Sequence, residues 1–259
     1  FYVQNIGSNF DITPLRATVS LTNPFTTTSG SATVTVTDAN GGYTNGDYVT
    51  FSNATAVGGL TIDGEFVVNQ TVTSAAGTFT ITASSNASSS ATGGGTVSAA
   101  YQINVGNAFA IPITGWGAGS WSQGTWGVGE SSITAIRFWS QSNFGEDLVF
   151  GNNGGSIYYW DATNGVTTRA VPLSTLSGAS DVPIVQNLIL VSDISRFVLC
   201  FGTNEIGSSS VDPTLVRWSD QEDATNWTPS ELNQAGSLRL SRGTKIIAAS
   251  QARQEVLVW

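Results

Sequence analysis

Residues 31–37 read SATVTVT, and the same alternation returns as GDYVTFS (46–52), TIDGEFVVNQTVT (61–73), GTFTITA (77–83) and GTVSAAYQINV (95–105). Alternation at period two puts the apolar residues of a stretch on one face of a strand and the polar ones on the other. The connecting stretches DANGGYTNG (38–46), NATAVGG (53–59) and SSNASSSATGG (84–94) are rich in the Gly, Asn and Ser of turns. Five or six short strands in so small a block must cover a common apolar face, which a small β-barrel or sandwich does. Residues 24–100 are therefore expected to form a small β domain inserted between residues 1–23 and 101–259 of a larger body.

After Gly106 the text changes. Tryptophans appear, and paired apolar runs recur: AIRFWSQ (135–141), DLVFGN (147–152), SIYYWDATNGVTTRAV (156–171), NLILVSDISRFVLCFG (187–202), TLVRWSDQ (214–221) and QEVLVW (254–259). Two of these read as hairpins, with DATNG (161–165) and SDIS (192–195) as their turns. Repeated antiparallel pairs suggest propeller-like blades of about 40 to 50 residues, roughly three of them in residues 130–259. A propeller needs about four or more blades to close, so this set is incomplete. TKIIAASQARQEVLVW (244–259) has a helical core but closes on β-branched residues, so a strand, a turn and a second strand compete with a helix. The chain starts at Phe1, contains no Met, and stops at Trp259 within an apolar run. It reads as a piece of something longer.

Between the two regions lies GWGAGSWSQGTWG (115–127), with Trp116, Trp121 and Trp126 at a spacing of five. That spacing fits neither a helix face nor one strand face, and the intervening glycines favour turns. The rings are expected to pack beneath a connecting loop or at an interface, with an aromatic platform for sugar or protein as the other reading.

Composition narrows the function. With 40% hydrophobic residues in 259, the chain can bury a substantial core, and global disorder is a poor description. Charged residues make up only 10%, while Gly numbers 29, which favours short strands and many turns over long helices. Eighteen acidic residues against nine basic ones give a net charge of −9, a balance that repels a phosphate backbone and argues against sequence-reading DNA binding. Arg16 is the sole cation before Arg137, whereas Arg239, Arg242, Lys245 and Arg253 fall together. They read as a basic interface edge for an acidic partner, or as a solvated strand face. Cys200, alone in RFVLCFG, is expected to pack as a small buried hydrophobe.

The chain contains no His. A Ser or Cys nucleophile activated by imidazole therefore cannot be assembled, and zinc sites built on His and several Cys are excluded. Oxygen ligands for calcium cluster at Asp38, Asn40, Asn45 and Asp47 and at Asp220, Glu222 and Asp223, without the full spacing of a known loop. Both clusters read first as turns. GNNGG and GGG open no helix and so lack the setting of a phosphate loop. Two carboxylates for glycoside hydrolysis need no sequence spacing, but no pair stands out, Glu146 and Glu222 being the acids chosen to test that chemistry. The residues call for no cofactor, no metal and no catalytic group.

The wording of four stretches carries a resemblance: NFDITPLRATVSLTNPF (9–25), GWGAGSWSQGTWG (115–127), DLVFGNNGGSIYYWDATNG (147–165) and RWSDQEDATNWTPSELNQAGSLRLSRGTKIIAA (217–249). Over residues 1–23 and 101–259 the chain resembles tail structural proteins of tailed bacteriophages, of the nozzle or tail-hub-like family found below the portal and adaptor in short-tailed phages. GYTNGDYVTFSNATAVGGLTIDGEF (42–66) looks like a small β-barrel insertion common in phage structural proteins, distantly similar in fold to the first catalytic cysteine half-domain of ubiquitin-activating enzymes. The resemblance implies a virion tail component, assembled in the host cytoplasm into a ring of identical subunits, usually six. Its implied partners are the adaptor, other tail proteins and the double-stranded DNA that an axial channel retains and then passes. A complete nozzle protein is much longer than this chain. The rival reading from another class is a glycan-binding or glycan-cleaving β protein, such as a tailspike or a lectin-like module.

Overall fold

The structure, a computed structural model, describes residues 1–40, 43, 45–69, 77–106, 137–253 and 255–259. Trp116, Trp121 and Trp126 lie outside the described residues. The protein is all-β, built of antiparallel sheets none of which closes on itself. Two compact units divide it: Phe1–Pro14 with Ala135–Trp259, and Leu15–Thr134.

The first unit begins with a hairpin of β1 (Tyr2–Asn5) and β2 (Ser8–Asp11). The second unit then holds β3 (Leu15–Thr22), β4 (Phe25–Thr27), β5 (Thr33–Thr37), β6 (Tyr48–Ser52), β7 (Gly64–Val67), β8 (Thr78–Thr82), β9 (Ala91–Gly93) and β10 (Thr96–Gln102). They form two four-stranded sheets, β3-β10-β6-β7 and β8-β5-β4-β9. The alternation read from the sequence is the alternation of burial: in Thr33–Thr37 and in Tyr48–Ser52 the valines and the phenylalanine point inward and the outer threonine, tyrosine and serine outward. Phe25, Val34, Val36, Phe79 and Ile81 from one sheet meet Val49, Phe51, Val97, Ala99 and Tyr101 from the other in a single core.

A bent strand pair carries the chain from one sheet to the other. β3 pairs with β10, and their continuations β4 and β9 pair with each other in the second sheet. At the corner Asn23 has a φ of 48° and Gly94 one of 115°. The Asn23 N–H donates to the Gly95 carbonyl at 2.7 Å, and the Gly95 N–H to Asn23 Oδ1 at 3.0 Å. Only glycine fits at 94, since a Cβ there would lie 2.5 Å from Cδ2 of Phe25. Because β3 is held by β10, Leu15–Thr22 belongs to this unit rather than to the larger body in which the sequence grouped residues 1–23.

The rest of the first unit is a stack of sheets. β11 (Trp139–Phe144), β12 (Asp147–Asn152), β13 (Ile157–Trp160) and β14 (Val171–Pro172) form one sheet in sequential order. β15 (Leu188–Val191), β16 (Val198–Asn204), β17 (Val211–Trp218) and β18 (Gly236–Arg239) form the next, and β19 (Ala249–Gln251) pairs with β20 (Val256–Val258). Strand, turn and strand thus win over a helix at the end of the chain.

Successive residues of one strand serve different layers. Val149 packs with Ile189, Val191, Val198, Cys200 and Trp227 between the two four-stranded sheets, while Phe150 packs on the other side with Ile12, Trp160, Phe1 and Trp139. Likewise Cys200 faces one layer and Phe201 the next, with Val216, Val256 and Val258. Sheets covered on both faces read as apolar runs, which is why FVLCFG and LILV lack the clean alternation of the second unit. The edge of β15 is closed by side chains: Ser140 Oγ accepts from the Ile189 N–H at 3.0 Å and Ser142 Oγ from the Val191 N–H at 3.2 Å.

The hairpin expected at SDIS is present as β15 and β16. The one expected at DATNG opens instead into a longer connection, because Asp161 caps a 3₁₀ turn at Ala162–Asn164 and only Val171–Pro172 returns to pair with Tyr158 and Tyr159.

Candidate functional site

The Asp/Asn-rich turn after β5 builds a buried polar cluster. Asp38 and Asp47 are both buried. Asp38 Oδ2 accepts from the Tyr101 hydroxyl at 2.7 Å and its Oδ1 from the Asn40 N–H at 3.1 Å. Asp47 Oδ2 lies 3.6 Å from Nη2 of Arg16, whose Cζ stands 4.9 Å over the Tyr101 ring. Tyr101 and Arg16 thus join two carboxylates nine residues apart. Burial, reinforced by Asp38, raises the Tyr101 phenol above its ordinary pKa, since ionising it would place a second anion beside the carboxylate. Each carboxylate is already engaged by protein donors, and no group of three His, Cys, Asp or Glu suited to a metal occurs among the described residues.

At the second acidic cluster, Asp223 Oδ1 accepts from the N–H and hydroxyl of Thr225 at 2.8 and 2.6 Å, and Asp220 Oδ1 from the N–H groups of Gln221 and Gln234 at 2.8 and 2.9 Å. Glu222 is exposed with a φ of 59°. The arrangement at Asp223 recurs in the first unit. Asp11 holds Thr13, Asp161 holds Thr163 and Asp212 holds Thr214 by the same pair of bonds, N–H and Oγ1 to one carboxylate oxygen. Four Asp-x-Thr triplets therefore close four Asx turns. The Thr163 hydroxyl and N–H hold the Asp161 carboxyl below its ordinary range, and the Thr214 N–H does so for Asp212. Glu146 is exposed in the turn between β11 and β12.

Of the four cations expected at a basic edge, Arg239 is held by two acids: its Nε lies 2.5 Å from Asp212 Oδ2, and its Nη2 pairs with Glu205. Arg242 and Lys245 are exposed between β18 and β19, and Arg253 is exposed between β19 and β20.

Sequence reasoning passed over Arg217. Only 2% exposed, it donates to the carbonyls of Asn204 and Asp181 at 3.2 and 2.5 Å, and burial lowers its pKa. Its place two residues after buried Leu215 on β17 was the available signal. Also unforeseen is a groove of about 490 Å³ beside β7 and β8, lined by Glu65, Phe66, Val67, Asn69, Thr82, Ala83 and Ser84.

No protein-family model matches the chain, and no curated protein does. Among solved structures it is similar to the phage phi92 endosialidase, at 17% identity and a TM-score of 0.32, over 95% of this chain and 35% of that one. The chain thus spans about a third of that protein. The all-β class rests on the sheets described above. No helix among the described residues is long and apolar enough to cross a membrane.

Proposed function

We propose that the chain is a non-enzymatic structural protein of a bacteriophage tail, nozzle-like, with its stacked sheets as propeller-like blades in a ring of identical subunits around a DNA channel. The observation that carries the non-catalytic part is the engagement of the acids. Asp11, Asp161, Asp212 and Asp223 each give a carboxylate oxygen to main-chain and threonine donors of their own turn, which suits braces between strands better than groups poised to move protons. The tail assignment is supported by the resemblance of residues 1–23 and 101–259, and the net charge of −9 fits a wall along which a duplex slides without adhering.

A second reading, a glycan-binding or glycan-cleaving protein of tailspike type, is favoured by the groove beside β7 and β8, and the name of the phi92 neighbour sits with it rather than with a nozzle. Gold-labelled antibody against the chain, applied to intact virions, decides the location. Label on the tail axis is expected, and virions without label would remove the tail assignment. Depolymerisation of a polysaccharide by the purified chain, abolished by Glu222→Gln or Glu146→Gln, would establish the second reading.

A further inference from the structure

The groove lies where a β-hairpin splits. After β7 the Asn69 N–H donates to the Thr80 carbonyl at 2.8 Å and the Thr80 N–H to the Asn69 carbonyl at 2.9 Å. In an antiparallel ladder the next exchanging pair stands two residues on along each strand, here Val67 with Thr82, and the next again is Glu65 with Ser84. Among the described residues neither pair forms, and a bridge at Asn69 and Thr80 joins the two segments.

Alternation fixes where the unused groups point. Val68 turns towards β6, its N–H donating to the Asp47 carbonyl and its carbonyl accepting from the Gly46 N–H, both at 2.8 Å. Glu65 and Val67 therefore turn their main-chain groups the same way as Asn69, towards the gap. Across it the Ala83 N–H donates back to the Ala32 carbonyl at 2.8 Å, so Thr82 faces the gap as Thr80 does. Val67 and Thr82 have no main-chain partner on that side among the described residues. Beneath the gap lie Phe66 and Ala83, half-buried against the core, and its walls carry Asn69, Ser84 and the exposed Val67.

We propose that this split is a docking site for an extended segment of a partner protein, which adds as a β-strand along the free edge at Glu65 and Val67 and seats one apolar side chain over Phe66 and Ala83. The chemistry selects a peptide. Donors and acceptors alternating at strand spacing are matched by another main chain, and the apolar floor between them matches the side chain that a strand projects every second residue. A sugar would meet a Phe that is half-buried against the core rather than an open aromatic platform.

The probe is a displayed library of random heptapeptides selected on the whole 259-residue chain, with the winning peptide made synthetically. Amide hydrogen exchange with and without that peptide gives the readout. Expected is slowing of exchange at Glu65, Val67 and Thr82 by about tenfold or more, as buried strand amides show. Two variants act differently on the site: Val67→Pro removes a main-chain donor from the edge, and Ala83→Phe fills the floor without touching the edge. Each is to weaken the peptide at least about tenfold while far-ultraviolet circular dichroism reports an intact fold. Peptides that protect other residues, peptides indifferent to both variants, or a library that yields no binder overturn the proposal. So does protection of these amides by neutral oligosaccharides alone, which would assign the groove to a glycan.

Discussion

Trp160 and Trp218 occupy the same place in successive sheets. Each ends the third strand of its sheet, opposite a leucine of the second strand, Leu148 or Leu199. Each indole Nε1–H donates to a carbonyl just before the fourth strand, that of Thr168 at 2.9 Å or of Gln234 at 2.7 Å. An Asp-x-Thr turn follows in both cases, and the two share the text DATN at 161–164 and 223–226. The two four-stranded sheets are thus copies of one arrangement in which an indole anchors the loop that returns the chain to the sheet edge.

The equivalence predicts equivalent losses. Trp160→Phe keeps a smaller aromatic ring and drops the hydrogen bond, and at least about 1 kcal/mol of stability is expected to go. Trp160→Ala also leaves a cavity beside Phe150 and Ile12, for an expected cost of about 3 to 5 kcal/mol. At the second site Gly236 lies against the indole so closely that a Cβ would stand 2.6 Å from Trp218 Cζ2. Gly236→Ala is therefore expected to disturb β18 as Trp218→Ala does. Denaturant unfolding of the four variants measures this, and Trp218→Ala and Gly236→Ala behaving as surface substitutions would break the equivalence.

The Asx turns predict a response to acid. A carboxylate whose folded pKa is lowered contributes stability that is fully present above its unfolded pKa of about 4 and is lost as pH falls through the folded value. Asp161 and Asp212 are lowered in this way. Stability is expected to hold from neutrality to about pH 5 and to fall below that, with Asp212→Asn less stable at neutral pH and flatter in acid. Midpoints of urea unfolding between about pH 3 and 7 test it. A variant that tracks the parent in parallel would show that the turn adds nothing pH-dependent.

Local chemistry made much of this legible. TVTVT and YVTFS announce half-buried strands because each alternation is complete within five residues, and SDIS announces its hairpin because Leu188–Val191 precedes it directly and Val198–Asn204 follows within three residues. What the sequence hides is set by partners distant in the chain. DATNG looks like a tight turn until Arg169, 2.8 Å from Asp11 and donating to the Thr13 carbonyl, draws the following segment to the start of the chain. Arg239 looks like a free cation until Glu205 and Asp212 close on it. The split between β7 and β8 has no signature, since TIDGEFVVNQTVT and GTFTITA alternate through it as though pairing continued.

The second unit carries its own core, all of whose buried members lie between Phe25 and Tyr101. Residues 15–106 expressed alone are expected to unfold cooperatively, and Gly94→Ala within them to cost about 1 to 3 kcal/mol, because the side chain meets both a positive φ and the Phe25 ring. Circular dichroism melting reports both. A broad, non-cooperative melt of the isolated piece would mean that the core depends on residues outside it.

Tyr101 predicts the behaviour at the alkaline end. Its hydroxyl donates to Asp38 at 2.7 Å within the core, and burial together with that carboxylate raises its pKa. A group whose folded pKa lies above its unfolded value of about 10 contributes stability that is present below pH 10 and lost as pH rises towards the folded pKa. Titration of the phenolate absorbance is therefore expected to show a tyrosine that ionises only as the fold is lost. Tyr101→Phe removes the bond and leaves Asp38 with the Asn40 N–H, at an expected cost of about 1 to 3 kcal/mol near neutrality. Above about pH 10 the gap between parent and variant should narrow, because the parent alone must then keep Tyr101 protonated. Asp38→Asn distinguishes the two causes of the shift: it keeps the burial and removes the charge, so the alkaline decline should begin at the same pH but end sooner and be smaller if the carboxylate matters beside burial. Tyr159, raised by burial and by Asp147 in the other unit, serves as control through Tyr159→Phe, which should leave the titration of Tyr101 unchanged. Parent and Tyr101→Phe curves that stay parallel from about pH 7 to 11 would show that the phenol–carboxylate bond has no part in alkaline unfolding.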